Sequence, residues 1–110
     1  MIPPGIRIFV CPVPVDMRLG FDRLAQWARQ HLGQDPLRGG ALFLFRGRSP
    51  KRIKALWMET HGLCLLSKRL HGAVFEFPRG HEGQPALRID SVALEKLLAG
   101  APRAPKIKSS

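Results

Sequence analysis

A chain of 110 residues with 45% hydrophobic side chains suits a single domain with a real core and is too short for two. Eighteen Lys and Arg against eight Asp and Glu leave a net charge of +10, which favours a polyanionic partner, most often nucleic acid. No run of about 18 apolar residues is present, which argues against a membrane-spanning helix, and the opening Met-Ile-Pro-Pro-Gly-Ile-Arg lacks the layout of a secretory leader, so a cytoplasmic protein is expected.

Residues 6–10, Ile-Arg-Ile-Phe-Val, are β-branched and aromatic between prolines, and read as a short first strand. Asp16 stands where an N-cap would accept the first free N–H groups of a helix. Met17, Phe21, Leu24, Ala28 and Leu32 follow as one helical stripe, stopped by Gly33. Arg18, Asp22, Arg23 and Arg29 fall off that stripe, and Arg18 and Asp22 have the spacing of a helical ion pair. Residues 34–40 form a turn-rich link.

The stretch from Leu42 to Leu70 contains three apolar runs punctuated by Gly47, Pro50 and Gly62, the pattern of an antiparallel meander. Ala73 to Phe77 reads as a fourth meander strand ended by Pro78, and residues 79–87 as loop. Asp90 is placed to cap a last helix carrying Val92, Leu94, Leu97 and Leu98, with Gly100 closing it. The expected fold is therefore one α+β domain over residues 1–100, order β-α-β-β-β-β-α, with helices on one face of an antiparallel sheet. Residues 101–110, rich in Pro and Lys, are expected to be a disordered basic tail.

Arg46, Arg48, Lys51, Arg52 and Lys54 put five cations in nine residues with no acid among them. Alternation along a strand sends Ile53, Ala55 and Trp57 to one face and Arg52 and Lys54 to the other. The expectation is a half-buried strand whose cationic face is open to phosphates, joined by Lys68 with Arg69 at the rim. Sharing a face with Ile53 and Ala55 assigns Trp57 to the core rather than to base stacking, and Phe43 and Phe45 are read the same way.

Several blocks in this order are recognisable. Pro14-Val15-Asp16-Met17-Arg18-x-Gly20-Phe21-Asp22-x-Leu24 is followed by Leu42-Phe43-x-Phe45-Arg46-Gly47-Arg48 and Arg52-Ile53-Lys54-x-Leu56-Trp57, then by Gly62-Leu63-Cys64-Leu65, Lys68-Arg69-Leu70 and Phe75-x-Phe77-Pro78. The chain resembles, over about residues 2–100, the TnpB accessory proteins of insertion sequence 66 type bacterial transposons, the products of the second open reading frame. The resemblance implies a role in DNA transposition beside a separate, larger transposase that carries the catalytic carboxylates. It departs from the family pattern at Trp57-Met58-Glu59-Thr60-His61-Gly62 and at Ser67, where the family tends to have further aromatics.

The function expected is a non-catalytic accessory protein that binds transposon DNA, with Arg46, Arg48, Lys51, Arg52, Lys54, Lys68 and Arg69 as contacts and the transposase as a further partner. The alternative is an adaptor that docks its basic face on the transposase without touching nucleic acid. Catalysis is not expected, because the acids do not converge on a metal. No cofactor and no metal are expected: His61 and Cys64 have a ligand-like spacing but lack two further ligands. Cys11 and Cys64, isolated in apolar surroundings, read as buried free thiols.

Overall fold

The computed structural model describes residues 4–78 and 85–102. Strand β1 (Arg7–Val10) leads through an extended segment into helix α1 (Phe21–Trp27), which continues as a π turn over Ala28–Leu32. A 3-10 turn, Pro36–Arg38, precedes β2 (Ala41–Arg46), β3 (Arg52–Glu59) and β4 (Gly62–Arg69). Then come β5 (Ala73–Val74), β6 (Leu87–Ile89), α2 (Ser91–Ala99) and β7 (Ala101–Pro102). The main sheet has the order β4-β3-β2-β1-β6, while β5 and β7 form a separate two-stranded ribbon.

The α+β class and the β2-β3-β4 meander stand as the sequence suggested. The sheet is mixed, however, because β1 lies parallel to β2. A parallel neighbour needs a crossover connection, and the segment holding α1 supplies it. Leu87–Ile89, expected as loop and helix entry, is a strand antiparallel to β1. The expected fourth meander strand shrinks to Ala73–Val74, and it pairs with Ala101–Pro102 instead of β4. That ribbon takes in the first two residues of the expected tail; residues 103–110 and 79–84 lie outside the described residues.

The helices do not share a face of the sheet, as the sequence had suggested; each covers its own. On one side Leu24 and Ala25 of α1, with Ala28 of the π turn, pack with Phe43, Phe45 and Leu56. On the other, Leu94 and Leu97 of α2 pack with Ile8, Val10, Leu42, Leu44, Ile53, Ala55 and Trp57. Covered on both faces, β2 is buried at every position from Ala41 to Phe45. That explains its unbroken apolar run, since a strand buried on both sides has no solvent face to alternate with.

Helix α1 begins later than the sequence stripe implied. Asp16 does not cap it; its Oδ1 accepts the Arg18 backbone N–H at 2.9 Å in a local turn, and Gly20 is the N-cap. The side chain of Phe21 is consequently 47% exposed instead of joining the stripe. Gly33, with φ of 64°, ends the helical segment in the left-handed region that glycine enters at no steric cost. Asp90 does cap α2, its Oδ1 accepting the Ala93 N–H at 2.8 Å. Ile89 and Leu94 join the same apolar cluster.

Two stability outcomes follow from this packing. Asp90→Ala removes the cap of α2 and is expected to cost about 1 kcal/mol in urea denaturation. Leu56→Ala opens a cavity between β3 and α1, and the same assay is expected to read a loss of roughly 2–5 kcal/mol.

Candidate nucleic-acid interface

Register sorts the expected DNA contacts onto two faces. Residues directly opposite in an antiparallel pair point the same way. Lys54 pairs with Phe45 and Ser67, and Arg52 pairs with Arg69, which places these on the α1 side. Ile53 pairs with Arg46 and Lys68, so those two cations point to the α2 side. Arg69 and not Lys68 therefore stands beside Arg52, the reverse of the expected arrangement.

Three of the cations have internal tasks. Lys54, expected on an open cationic face, is only 9% exposed, and its Nζ donates to the Leu19 carbonyl at 2.8 Å. The chain leading into α1 lies over it, and a buried ammonium is tolerated when it is hydrogen-bonded. Lys68 Nζ donates to the Leu98 carbonyl at 2.8 Å, meeting one of the unpaired acceptors at the C-terminal end of α2. Arg46 sets its guanidinium 5.7 Å from the Phe77 ring centre, a cation–π distance. Lys51 is half-buried and its carbonyl accepts the Leu70 N–H at 2.8 Å, tying the β2–β3 link to the end of β4.

Arg48, Arg52 and Arg69 are exposed, as is Lys68, and unlike Lys68 they make no side-chain hydrogen bond among the described residues. Among the described residues the ion pairs are Arg18–Asp16 and Arg29–Asp35, so none of these three is neutralised by an acid there. Arg52 and Arg69 stand directly opposite each other across the β3–β4 ladder. Like charges in that position destabilise a sheet. An anion between them would remove the repulsion.

Beside this pair lies a cleft of about 490 Å³, walled by residues 14–18 on one side and by Gly47, Arg48, Ser49 and Arg52 on the other. Its geometry comes from backbone pairing that continues past β1. The Cys11 N–H donates to the Leu44 carbonyl at 2.9 Å and the Val15 N–H to the Arg46 carbonyl at 2.8 Å. Residues 11–15 are thereby laid along β2 to its end. Gly47 permits the closest approach, since a Cβ there would sit 2.6 Å from Met17 Cγ.

Arg18 is the cleft residue that sequence reasoning missed, having placed it on a solvated helix face with Asp22. It forms a two-pronged pair with Asp16, Nε to Oδ1 at 3.0 Å and an outer nitrogen to Oδ2 at 2.8 Å. The Arg18 side-chain and backbone donors hold the Asp16 carboxyl down to about 2. The available signal was the pairing of two motif blocks, residues 14–18 and 46–48, which the fold brings together.

Elsewhere, Trp57, Phe43 and Phe45 are buried, as the alternation implied. Both cysteines are free. Cys11 is buried, whereas Cys64 is only half-buried and lies with Trp57 Nε1 against Glu59 Oε2. Burial pushes both thiols up, and at Cys64 the Glu59 carboxylate adds to it. Among the described residues no group of three or more His, Cys, Asp or Glu could hold a metal ion, and no helix is long and apolar enough to cross a membrane.

The model of the IS66 Orf2-like protein family matches residues 6–107. The chain is 38% identical over 102 residues to the uncharacterized protein y4hO of Sinorhizobium fredii (strain NBRC 101917 / NGR234), covering 91% of this chain and 86% of that protein. To the uncharacterized protein y4jC of the same strain it is 33% identical over 96 residues, covering 87% of this chain and 80% of that protein. No solved structure matches it significantly. The matched span takes in the whole main sheet, both helices and every wall of the cleft, and the chain belongs to the IS66 Orf2-like family of transposition-associated accessory proteins.

Proposed function

We propose that the protein is a non-catalytic accessory factor that holds transposon DNA by its phosphate backbone, together with the separate transposase of the element. The observation that carries this reading is the direct opposition of Arg52 and Arg69 beside a cleft that also presents Arg48 and Arg18. The guanidiniums of Arg48, Arg52 and Arg69 can each give a phosphate two parallel hydrogen bonds, whereas Arg18 already has one edge taken by Asp16. Arg46, Lys51 and Lys68 flank the same end of the sheet and add attraction at longer range, while Lys54 acts from beneath by tethering residue 19. The net charge of +10 adds a sequence-independent pull on DNA.

The arginines stay charged across the ordinary pH range. Asp16 has a depressed folded-state pKa, so its pairing with Arg18 is complete above the ordinary 3.8 and is lost only as pH falls through about 2. The share of DNA affinity lost on changing Arg48, Arg52 and Arg69 to Ala is accordingly expected to be the same at about pH 5 and about pH 8.

Fluorescence-anisotropy titrations against duplex and single-stranded DNA at several salt concentrations test the reading. The native chain is expected to bind with a steep salt dependence. Changing Arg48, Arg52 and Arg69 together to Ala is expected to reduce the slope of log K on log salt by roughly 2–3, about one per phosphate contact. Lys54→Met serves as the contrast: it is expected to keep the slope while costing about 1–3 kcal/mol of stability through the orphaned Leu19 carbonyl. If the native chain fails to bind DNA even at low salt, the proposal is wrong. Retention of the transposase in a pull-down after nuclease treatment and a high-salt wash would then favour the adaptor.

A further inference from the structure

Strand β4 is an outer strand of the main sheet, and it pairs with β3 over eight unbroken positions from Gly62 to Arg69. Its other edge meets no strand among the described residues. Outer strands are ordinarily kept from joining other chains by being short, by a bulge, or by proline or charge. The opposite outer strand, β6, obeys this with three residues and an exposed Arg88 at its centre. Along β4 the five residues Gly62-Leu63-Cys64-Leu65-Leu66 carry no charge, no proline and no bulge, and they are only half-buried. An edge this long and this apolar is a template for another strand.

The phase of that edge follows from the hairpin. Thr60 and His61 both have positive φ, 33° and 66°, the two-residue primed turn whose closing pair exchanges hydrogen bonds. That closing pair is Glu59 with Gly62. By alternation Leu63, Leu65, Ser67 and Arg69 direct their backbone N–H and C=O groups away from β3.

We propose that β4 pairs antiparallel with β4 of a second copy of this chain, with Leu65 on the two-fold axis, joining two five-stranded sheets into one. In this register Leu65 meets Leu65, Leu63 meets Ser67, Cys64 meets Leu66 and Gly62 meets Lys68. The apolar residues lie at the centre and the polar ones at the ends. Charge distribution selects this occupant and this direction. Lys68 and Arg69 sit at one end of β4 and would oppose their own copies in a parallel pairing. Antiparallel pairing sends them to opposite ends and sets Lys68 beside Gly62 of the other copy, whose partner on the same face is the carboxylate of Glu59. Arg69 falls beyond the shared ladder and stays free at the cationic rim.

Sedimentation equilibrium is expected to give the native chain twice its 12.3 kDa. Leu65→Cys in a Cys64→Ser background is expected to form an inter-chain disulfide under mild oxidation. Hydrogen-bonded partners have Cα atoms about 5.5 Å apart, within the roughly 4.4–6.8 Å that a disulfide spans. Leu63→Cys in the same background is expected to stay unlinked, since its own copy lies several residues away along the ladder. Ser67→Pro removes an outward N–H at an exposed position, and Leu65→Lys sets two ammonium groups on the axis. Both are expected to give the monomer mass with an unchanged far-UV circular dichroism spectrum. A native chain that sediments as a monomer up to its solubility limit would overturn the pairing, as would a dimer that links through Leu63→Cys but not through Leu65→Cys.

Discussion

Burial of β2 and the middle of β3 on both faces governs where every charge in this protein can go. With α1 packed on one side and α2 on the other, Ala41 to Phe45 of β2 and Ile53 to Trp57 of β3 are buried whichever face they point to. Cations written into β3 must then lie at the strand end or find an internal partner. Arg52 takes the first course, at the exposed start of the strand. Lys54 takes the second, two residues further in, where its ammonium reaches the Leu19 carbonyl and so anchors the approach to α1. The same side-chain alternation that suggested a cationic face thus yields one surface arginine and one buried tether.

The charged end of the sheet is built by convergence. Residues 11–15 run on from β1 beside β2, and the absence of a side chain at Gly47 lets Met17 close against the β2–β3 link. Arg18 is brought to one cleft with Arg48 and Arg52 from two separate segments of the chain. Asp16, on the same cleft wall, aligns Arg18 through its two-pronged pair. The opposition of Arg52 and Arg69 is unfavourable for the isolated fold, and it leaves two like charges side by side at the exposed end of the sheet.

Family membership and geometry bear on different levels of the same question. The IS66 Orf2-like match gives the process, transposition, and says nothing of which surface acts. The cleft and the edge of β4, which meets no strand among the described residues, supply two candidate surfaces with different chemistry, one cationic and one made of backbone hydrogen-bonding groups. They lie on different parts of the molecule. Arg69 stands next to both, at the end of β4, which would bring the arginine rim of each copy to the outer ends of a shared sheet.

Local patterns were enough for several features. The β2-β3-β4 meander, the burial of Phe43, Phe45 and Trp57, the Asp90 cap and the Gly33 stop are written in short-range periodicity and in residues with special backbone or hydrogen-bonding properties. The motif blocks were enough for the family. What alternation could not supply was the identity of the layer on each face. It assigned Arg52 and Lys54 to one side correctly, but whether that side meets solvent or the approach to α1 depends on a contact 35 residues away. The same limit explains the parallel pairing of β1 with β2, the recruitment of Leu87–Ile89 beside β1, and the ribbon of Ala73–Val74 with Ala101–Pro102. Leu87–Ile89 and Ala101–Pro102 are too short to announce themselves by periodicity, and the partners taken by β1 and by Ala73–Val74 depend on what the fold holds beside them. Arg18 is the functional counterpart: its neighbours in the cleft are chosen by the fold and not by its position in the chain.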